Sequence, residues 1–129
     1  MEVLDGAYAQ FIPITSVSSF TATGGPLTHT TGKINAKPGL NNNKALHTIA
    51  VYTKNFTGAL RVQGTMSTSP EETDYFDITM EGASEPANSF SDSTTVTTFN
   101  FTGVYQNIRF SWGNSTGNTG VIDKILYRQ

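Results

Sequence analysis

Carboxylates are the side chains of this sequence that could do chemistry, and most of them fall in one segment. Seven of the ten acids occur between positions 71 and 92 with no Lys or Arg among them: Glu71, Glu72, Asp74, Asp77, Glu81, Glu85 and Asp92. Two carboxylates about 5 to 9 Å apart can hydrolyse a glycosidic bond, and clustered carboxylates bind calcium. Because no Asp-x-Asp-x-Asp-Gly loop is present, a solvated acidic edge or an interface patch is the favoured interpretation.

Basic side chains show the complementary pattern. Five of the eight occur in a stretch without any acid: Lys33, Lys37, Lys44, Lys54 and Arg61. The net charge of −2 and the scatter of these cations argue against a nucleic-acid partner, which requires a basic domain with clustered charge. We predict head-to-tail contact between copies, in which the acidic edge of one subunit meets the basic edge of the next. Light scattering at low salt tests this prediction.

Histidine and cysteine give little support for a metal or cofactor site. His29 and His47 have no third ligand at a suitable spacing. Because His47 falls within an apolar run, we expect it to be a hydrogen-bonded core or edge residue. The absence of cysteine excludes disulfides and thiolate ligands. We therefore expect no metal, no cofactor and no catalytic residue.

Aromatic residues could form a platform for sugar rings, since a ring offers a large contact area to C–H faces. Trp112 has the strand parity of Phe110, which favours a place in the core. Tyr75 and Phe76 point to opposite faces of a strand, so only one of them can be a core residue and the other is a candidate contact residue. Tyr75, Tyr105 and the Asn/Thr-rich tips of the loops are the candidate sugar contacts.

Alternating hydrophobicity predicts the strands that must position these residues. Leu60 and Val62 alternate with Arg61 and Gln63, for example. An arm and an edge strand are predicted in residues 1–14, and a central buried strand in residues 45–53. The other predicted strands are residues 16–23, 28–34, 59–66, 74–80, 94–101, 104–112 and 120–128. Loops are predicted at residues 37–43 and 81–93, and a flexible hairpin tip at 113–120 between the last two strands.

The tetrapeptide Asn-Phe-Thr-Gly occurs twice, and we expect each copy to open a strand. Phe56 and Gly58 belong to the first copy, and Phe101 and Gly103 to the second. The phenylalanines should anchor the corner in the core. The glycines should supply the backbone freedom that the chain needs to turn into the strand.

Length and composition agree with a single β-rich domain over residues 1–129. The chain is 36% hydrophobic and 11% aromatic but only 14% charged, against about 25% in typical globular proteins. No segment has helical periodicity, and we see neither a signal peptide nor an apolar run of about 20 residues, so we expect no membrane association. We predict an all-β, two-sheet antiparallel β-sandwich, jelly-roll-like, with about eight strands. An immunoglobulin-like strand order is the alternative.

The pattern of residues 45–128 resembles the small β-sandwich structural proteins of tailed bacteriophages. The resemblance is carried by Phe-Thr-Gly followed by a strand ending in Gln-Gly-Thr-Met, then Asp-Tyr-Phe-Asp-Ile, the run from Asn100 to Trp112, and the closing Gly-Val-Ile-Asp-Lys-Ile-Leu-Tyr. It is also similar to galactose-binding-like jelly rolls. The phage resemblance implies a capsid decoration, neck or baseplate protein or a host-binding appendage, which assembles as a trimer or other symmetric oligomer and contains no catalytic residue.

These observations favour a non-enzymatic virion protein that binds capsid or tail subunits. The candidate interface residues are Glu71, Glu72, Asp74, Tyr75, Lys33, Lys37, Lys44, Arg61 and Tyr105. The alternative from a different class is a carbohydrate-binding module that recognises host surface glycans. A glycan-cleaving enzyme is the weakest hypothesis, because no acid pair converges in the sequence. Loss of hydrolysis in Asp74→Asn would support it.

Overall fold

The computed structural model describes residues 28–36 and 45–128. The predictions for residues 1–27 and 37–44, including the N-terminal arm, lie outside this range. The described residues contain nine strands and a single 3₁₀ turn at Glu72–Asp74, and no helix among them is long and apolar enough to cross a membrane. The strands are β1 (Thr28–Thr30), β2 (Ile34–Asn35), β3 (Leu46–Lys54), β4 (Phe56–Thr65), β5 (Phe76–Ile78), β6 (Asn88–Ser93), β7 (Val96–Thr102), β8 (Asn107–Asn114) and β9 (Val121–Arg128).

The strands form two antiparallel sheets, which confirms the predicted all-β sandwich. In the larger sheet β8 and β4 lie side by side in the centre. Strands β1 and β2 pair with the far edge of β8, and β5 and β6 pair with the far edge of β4. In the smaller sheet β3 lies between β7 and β9. The chain changes sheet between β2 and β3, between β3 and β4, and at each step from β6 to β9, which is the jelly-roll-like alternation.

The core lies between the two sheets and follows from strand alternation. In β3 every second residue is buried, from His47 to Thr53, because successive side chains point to opposite faces. Facing it, the inward side of β8 carries Ile108, Phe110 and Trp112, of which Trp112 is only 4% exposed. The core placement of Trp112 is thereby confirmed. Phe56 and Phe101 are both fully buried, as the repeated tetrapeptide predicted.

Two predicted connections are wrong. Residues 88–93 are not loop but β6, because Phe90 is buried edge-on against Phe56, with ring centroids 5.5 Å apart, and Asn88 donates to the Leu60 carbonyl over 3.0 Å. Residues 113–120 are not a hairpin tip, since β8 belongs to the larger sheet and β9 to the smaller. Asn114 Nδ2 donates to the Gly120 carbonyl over 2.7 Å and stabilises this crossover.

The two Asn-Phe-Thr-Gly copies have different structural roles, contrary to prediction. The first copy opens β4, but the second lies at the end of β7, with Gly103 just beyond it at a φ of 140°. Gly58 has no positive φ. Glycine is required there because a Cβ would overlap the carbonyl oxygen of Gly113 on the neighbouring strand. Backbone freedom therefore explains Gly103, and close approach of two strands explains Gly58.

Candidate functional site

The outer face of the larger sheet carries a continuous chain of polar contacts. Arg61 Nη1 donates to Asp77 Oδ2 over 2.7 Å, and Gln63 Nε2 donates to Asp77 Oδ1 over 2.9 Å. Gln63 Oε1 in turn accepts from Arg109 Nε over 2.7 Å, and Arg109 Nη1 reaches the Glu72 carboxylate. The strand register explains the contacts, since Gln63 is the partner of both Asp77 and Arg109.

Arg109 is the most enclosed member of this network. Its side chain is only 11% exposed, and its guanidinium carbon lies 3.8 Å from the centroid of the Tyr75 ring, a cation–π contact. The hydrogen bond and the positive charge of Arg109 lower the pKa of the Glu72 carboxyl. Burial raises the pKa of the Tyr75 phenol above its ordinary value. The guanidinium is therefore held in one orientation by three neighbours.

The 3₁₀ turn positions the acidic residues next to Arg109. Asp74 N donates to the Glu71 carbonyl over 2.9 Å, and Glu71 N donates back to Asp74 Oδ2 over 2.8 Å. This reciprocal pair closes the turn in the way that a capping box does. The Asp74 carboxylate therefore accepts a hydrogen bond from the backbone, whereas the Glu72 carboxylate pairs with Arg109.

A shallow groove of about 500 Å³ opens beside this turn. We call it the polar groove, and its lining residues are Thr30, Thr31, Gly32, Lys33, Pro70, Glu71, Glu72, Tyr75 and Arg109. Lys33 Nζ donates to the Thr68 carbonyl over 3.1 Å. A second groove of about 490 Å³ on the same face is lined mainly by small residues, among them Ala59, Ser89 and Gly113. Of the two, the polar groove contains the chemically diverse side chains.

One end of the sandwich exposes several large apolar side chains. We call them the end patch: Leu46, Met66, Phe76 and Val104. Met66 is 65%, Val104 57% and Phe76 44% exposed. A strand was predicted over residues 59–66, but β4 ends at Thr65, so Met66 lies just beyond the strand. The Tyr105 ring lies beside His47, the residue after Leu46, and beside Phe76, so the ends of both sheets come together at this position.

A buried aromatic cluster supports the end patch from below. His47 is 1% exposed, as predicted for a hydrogen-bonded core histidine, and its Nδ1 lies 2.7 Å from the Tyr127 hydroxyl. The Tyr105 ring lies between the rings of His47 and Phe76, with centroids 5.8 and 6.0 Å away. Tyr105 Oη donates to the Thr102 carbonyl over 2.9 Å. Burial lowers the pKa of His47, and the hydrogen bond to the Gly103 carbonyl opposes that shift.

The structure brings some predicted site residues together and separates others. Lys33, Glu71, Glu72 and Tyr75 all line the polar groove. Arg61 pairs with Asp77 of its own chain, and Tyr105 belongs to the cluster under the end patch. Lys37 and Lys44 lie outside the described residues.

Sequence reasoning missed Arg109 and the end patch. Neither Tyr75 nor Phe76 is a core residue. Phe76 lies at the open end of the sandwich, and Tyr75 lines the polar groove. The outward strand parity of Arg109 between Ile108 and Phe110 was an available signal. No sequence signal indicated that Phe76, on β5, and Val104, in the connection from β7 to β8, would both be exposed at one end of the sandwich.

Within residues 28–36 and 45–128, no three His, Asp or Glu side chains are close enough to hold a metal ion. The arrangement instead offers surfaces for binding: a polar groove on one sheet and an apolar patch at one end. No protein-family model, curated protein or solved structure matches the chain.

Proposed function

We propose that this protein is a non-enzymatic structural component of a tailed-bacteriophage virion that binds a capsid or tail subunit through its end patch. The resemblance of residues 45–128 to phage β-sandwich proteins supports the virion role. The end patch carries the proposal for contact with a partner protein, because large apolar side chains gathered at one surface favour association.

The surroundings of the end patch suit a protein interface. Tyr105 and Phe76 pack against each other at its base, and aromatic residues are enriched at the centres of interfaces. Gly64 allows this packing, because a Cβ at that position would lie 2.9 Å from the Tyr105 ring. The aromatic rings are therefore already fixed before a partner arrives, which reduces the entropy lost on binding.

Symmetric self-association is part of the same proposal. The charged residues that were predicted to pair between copies include Arg61 and Asp77, which pair within one chain over 2.7 Å. Because Arg61 and Asp77 are already paired, the contact between copies depends on other exposed charges. Glu71 and Glu85 are two such residues in the acidic segment 71–92. Light scattering at low salt and micromolar concentration should give a trimer or another closed oligomer, and a monomer would contradict this part.

Density-gradient purification of particles from a phage lysate that contains the chain tests the virion role. Mass spectrometry should find the chain in the particle band at a fixed copy number. Recovery only in the soluble fractions would overturn the proposal.

Add-back to particles that lack the chain tests the end patch. The double variant Phe76→Ser, Val104→Ser should bind at least tenfold more weakly than the wild-type chain, because it removes the exposed apolar contact. Val96→Ser is the matched control: Val96 is 48% exposed at the opposite end of β7 and should leave binding unchanged. Equal loss in both variants would show that the end patch is not the interface.

A further inference from the structure

The polar groove is lined by side chains of both charges. Lys33 and Arg109 contribute two cations, and Glu71 and Glu72 contribute two carboxylates. Its volume of about 500 Å³ is within the range of small-molecule sites. Its groups lie on separate parts of the fold, since Lys33 precedes β2, Arg109 is on β8 and the glutamates belong to the turn before β5.

This balance of charge selects against charged ligands. An anion would meet the carboxylates of Glu71 and Glu72, and a cation would meet Lys33 and Arg109. A neutral hydroxyl group avoids both penalties, because it donates to a carboxylate and accepts from an ammonium or guanidinium at the same time. Neighbouring hydroxyl groups of a sugar ring match a groove that offers donors and acceptors side by side.

Tyr75 supplies the apolar contact that a sugar ring also requires. Its side chain is partly exposed in the groove, and Arg109 stacks on it at 3.8 Å. Arg109 is itself held by Gln63 and Glu72, so the Tyr75–Arg109 pair is ordered before a ligand binds. An aromatic surface of this kind packs against sugar C–H groups, and its preorganisation lowers the entropy cost of binding.

The geometry points to a binding site for a neutral oligosaccharide in the polar groove, with Tyr75 as the stacking residue and Lys33, Glu71 and Arg109 as hydrogen-bonding residues. This site lies on the outer face of the larger sheet and is separate from the end patch. A chain attached to a particle through the end patch could present the groove outward.

An oligosaccharide array followed by calorimetry tests the inference. The array contains neutral gluco-, galacto- and manno-oligosaccharides beside sulfated and carboxylated ones. We expect saturable binding of a neutral oligosaccharide, and at least tenfold weaker binding by Tyr75→Ala and by Lys33→Gln. Both side chains lie outside the core, and thermal melting by circular dichroism verifies that the variants fold. Tyr52→Ala is the matched control and should bind the sugar as the wild-type chain does, because Tyr52 lies on the smaller sheet with Lys124 Nζ over its ring at 4.5 Å.

Three results would overturn the inference. The first is that no neutral oligosaccharide on the array binds, and the second is that only anionic oligosaccharides bind. The third is that folded Tyr75→Ala and Lys33→Gln both bind a neutral oligosaccharide as tightly as the wild-type chain does. None of them bears on the virion role, which the particle experiments test independently through the end patch.

Discussion

His47 Nδ1 lies 2.7 Å from the hydroxyl oxygen of Tyr127 inside the sandwich, and both residues are at most 1% exposed. His47 Nε2 lies 2.9 Å from the carbonyl oxygen of Gly103, which can only accept a hydrogen bond. The proton of the neutral ring is therefore on Nε2, and Nδ1 accepts from the Tyr127 hydroxyl. This pair joins β3 to β9 at the end of the molecule that carries the end patch.

Acidification should destabilise the fold through His47. Burial lowers the pKa of this ring below its ordinary value of 6.5, so below pH 6.5 the unfolded chain binds a proton that the folded chain does not. The stability that His47 contributes is complete above pH 6.5 and is lost as the pH falls through the folded pKa. Urea unfolding at about pH 7.5 and about pH 5.5 should show a larger loss in the wild-type chain than in His47→Gln. Equal losses would contradict this assignment.

Removing the hydroxyl of Tyr127 should cost more than removing an outward-facing one. Tyr127→Phe leaves His47 Nδ1 without its donor in the core, and we expect a loss of about 1–3 kcal/mol in the free energy of unfolding. Tyr52→Phe is the control, because Tyr52 lies on the outer side of β3 with Lys124 Nζ over its ring at 4.5 Å. Denaturant unfolding near pH 7.5 measures both. A cost for Tyr127→Phe as small as that of the control would refute the proposed role of the pair.

The histidine shows how far the sequence alone could lead. The apolar run around His47 was enough to predict a buried strand and a hydrogen-bonded histidine on it, because such a run is a local property of the sequence. Its partner Tyr127 is 80 positions away, and the pairing of β3 with β9 depends on tertiary register that no local pattern encodes. The same reason explains Arg109, whose contacts come from Gln63 on β4 and from Glu72 and Tyr75 in the segment before β5.

The errors in the fold prediction have a related origin. Residues 81–93 lack periodicity and contain many small polar residues, which is typical of loops. Strand β6 forms there nevertheless, because a neighbouring strand offers hydrogen bonds and the core accepts Phe90. Tertiary contacts therefore override weak local preference at this edge of the sheet.

Substitution by alanine should be costly at one glycine and nearly neutral at another. A Cβ at Gly120 would overlap the carbonyl of Asn55, whereas a Cβ at Gly32 meets no atom within 4 Å. Because the overlap involves the backbone, Gly120→Ala must displace the start of β4 or β9, and we expect it to cost on the order of 2 kcal/mol or more. Gly32→Ala should change stability by less than about 0.5 kcal/mol. Thermal and urea unfolding of the two variants compare them, and similar stabilities would contradict the close approach at Gly120.

Arg109 should control the titration of Glu72 in a way that Lys cannot reproduce. The guanidinium donates through Nε to Gln63 and through Nη1 to Glu72, and it stacks on Tyr75. A lysine ammonium has neither the fork of N–H donors nor the planar face of a guanidinium. The pKa of Glu72 should therefore rise in Arg109→Lys, and it should rise further toward its ordinary value in Arg109→Ala. Carboxyl NMR titration measures the shift.

Arg61→Lys is the matched control for this titration, because Arg61 pairs with Asp77 and not with Glu72. It should leave the pKa of Glu72 unchanged. A Glu72 carboxyl that titrates identically in the wild-type chain and in Arg109→Ala would mean that the pair does not persist in solution. The polar groove would then lack the ordered Tyr75–Arg109 pair on which sugar stacking depends. The titration therefore also tests, without any ligand, a premise of the oligosaccharide site proposed in the polar groove.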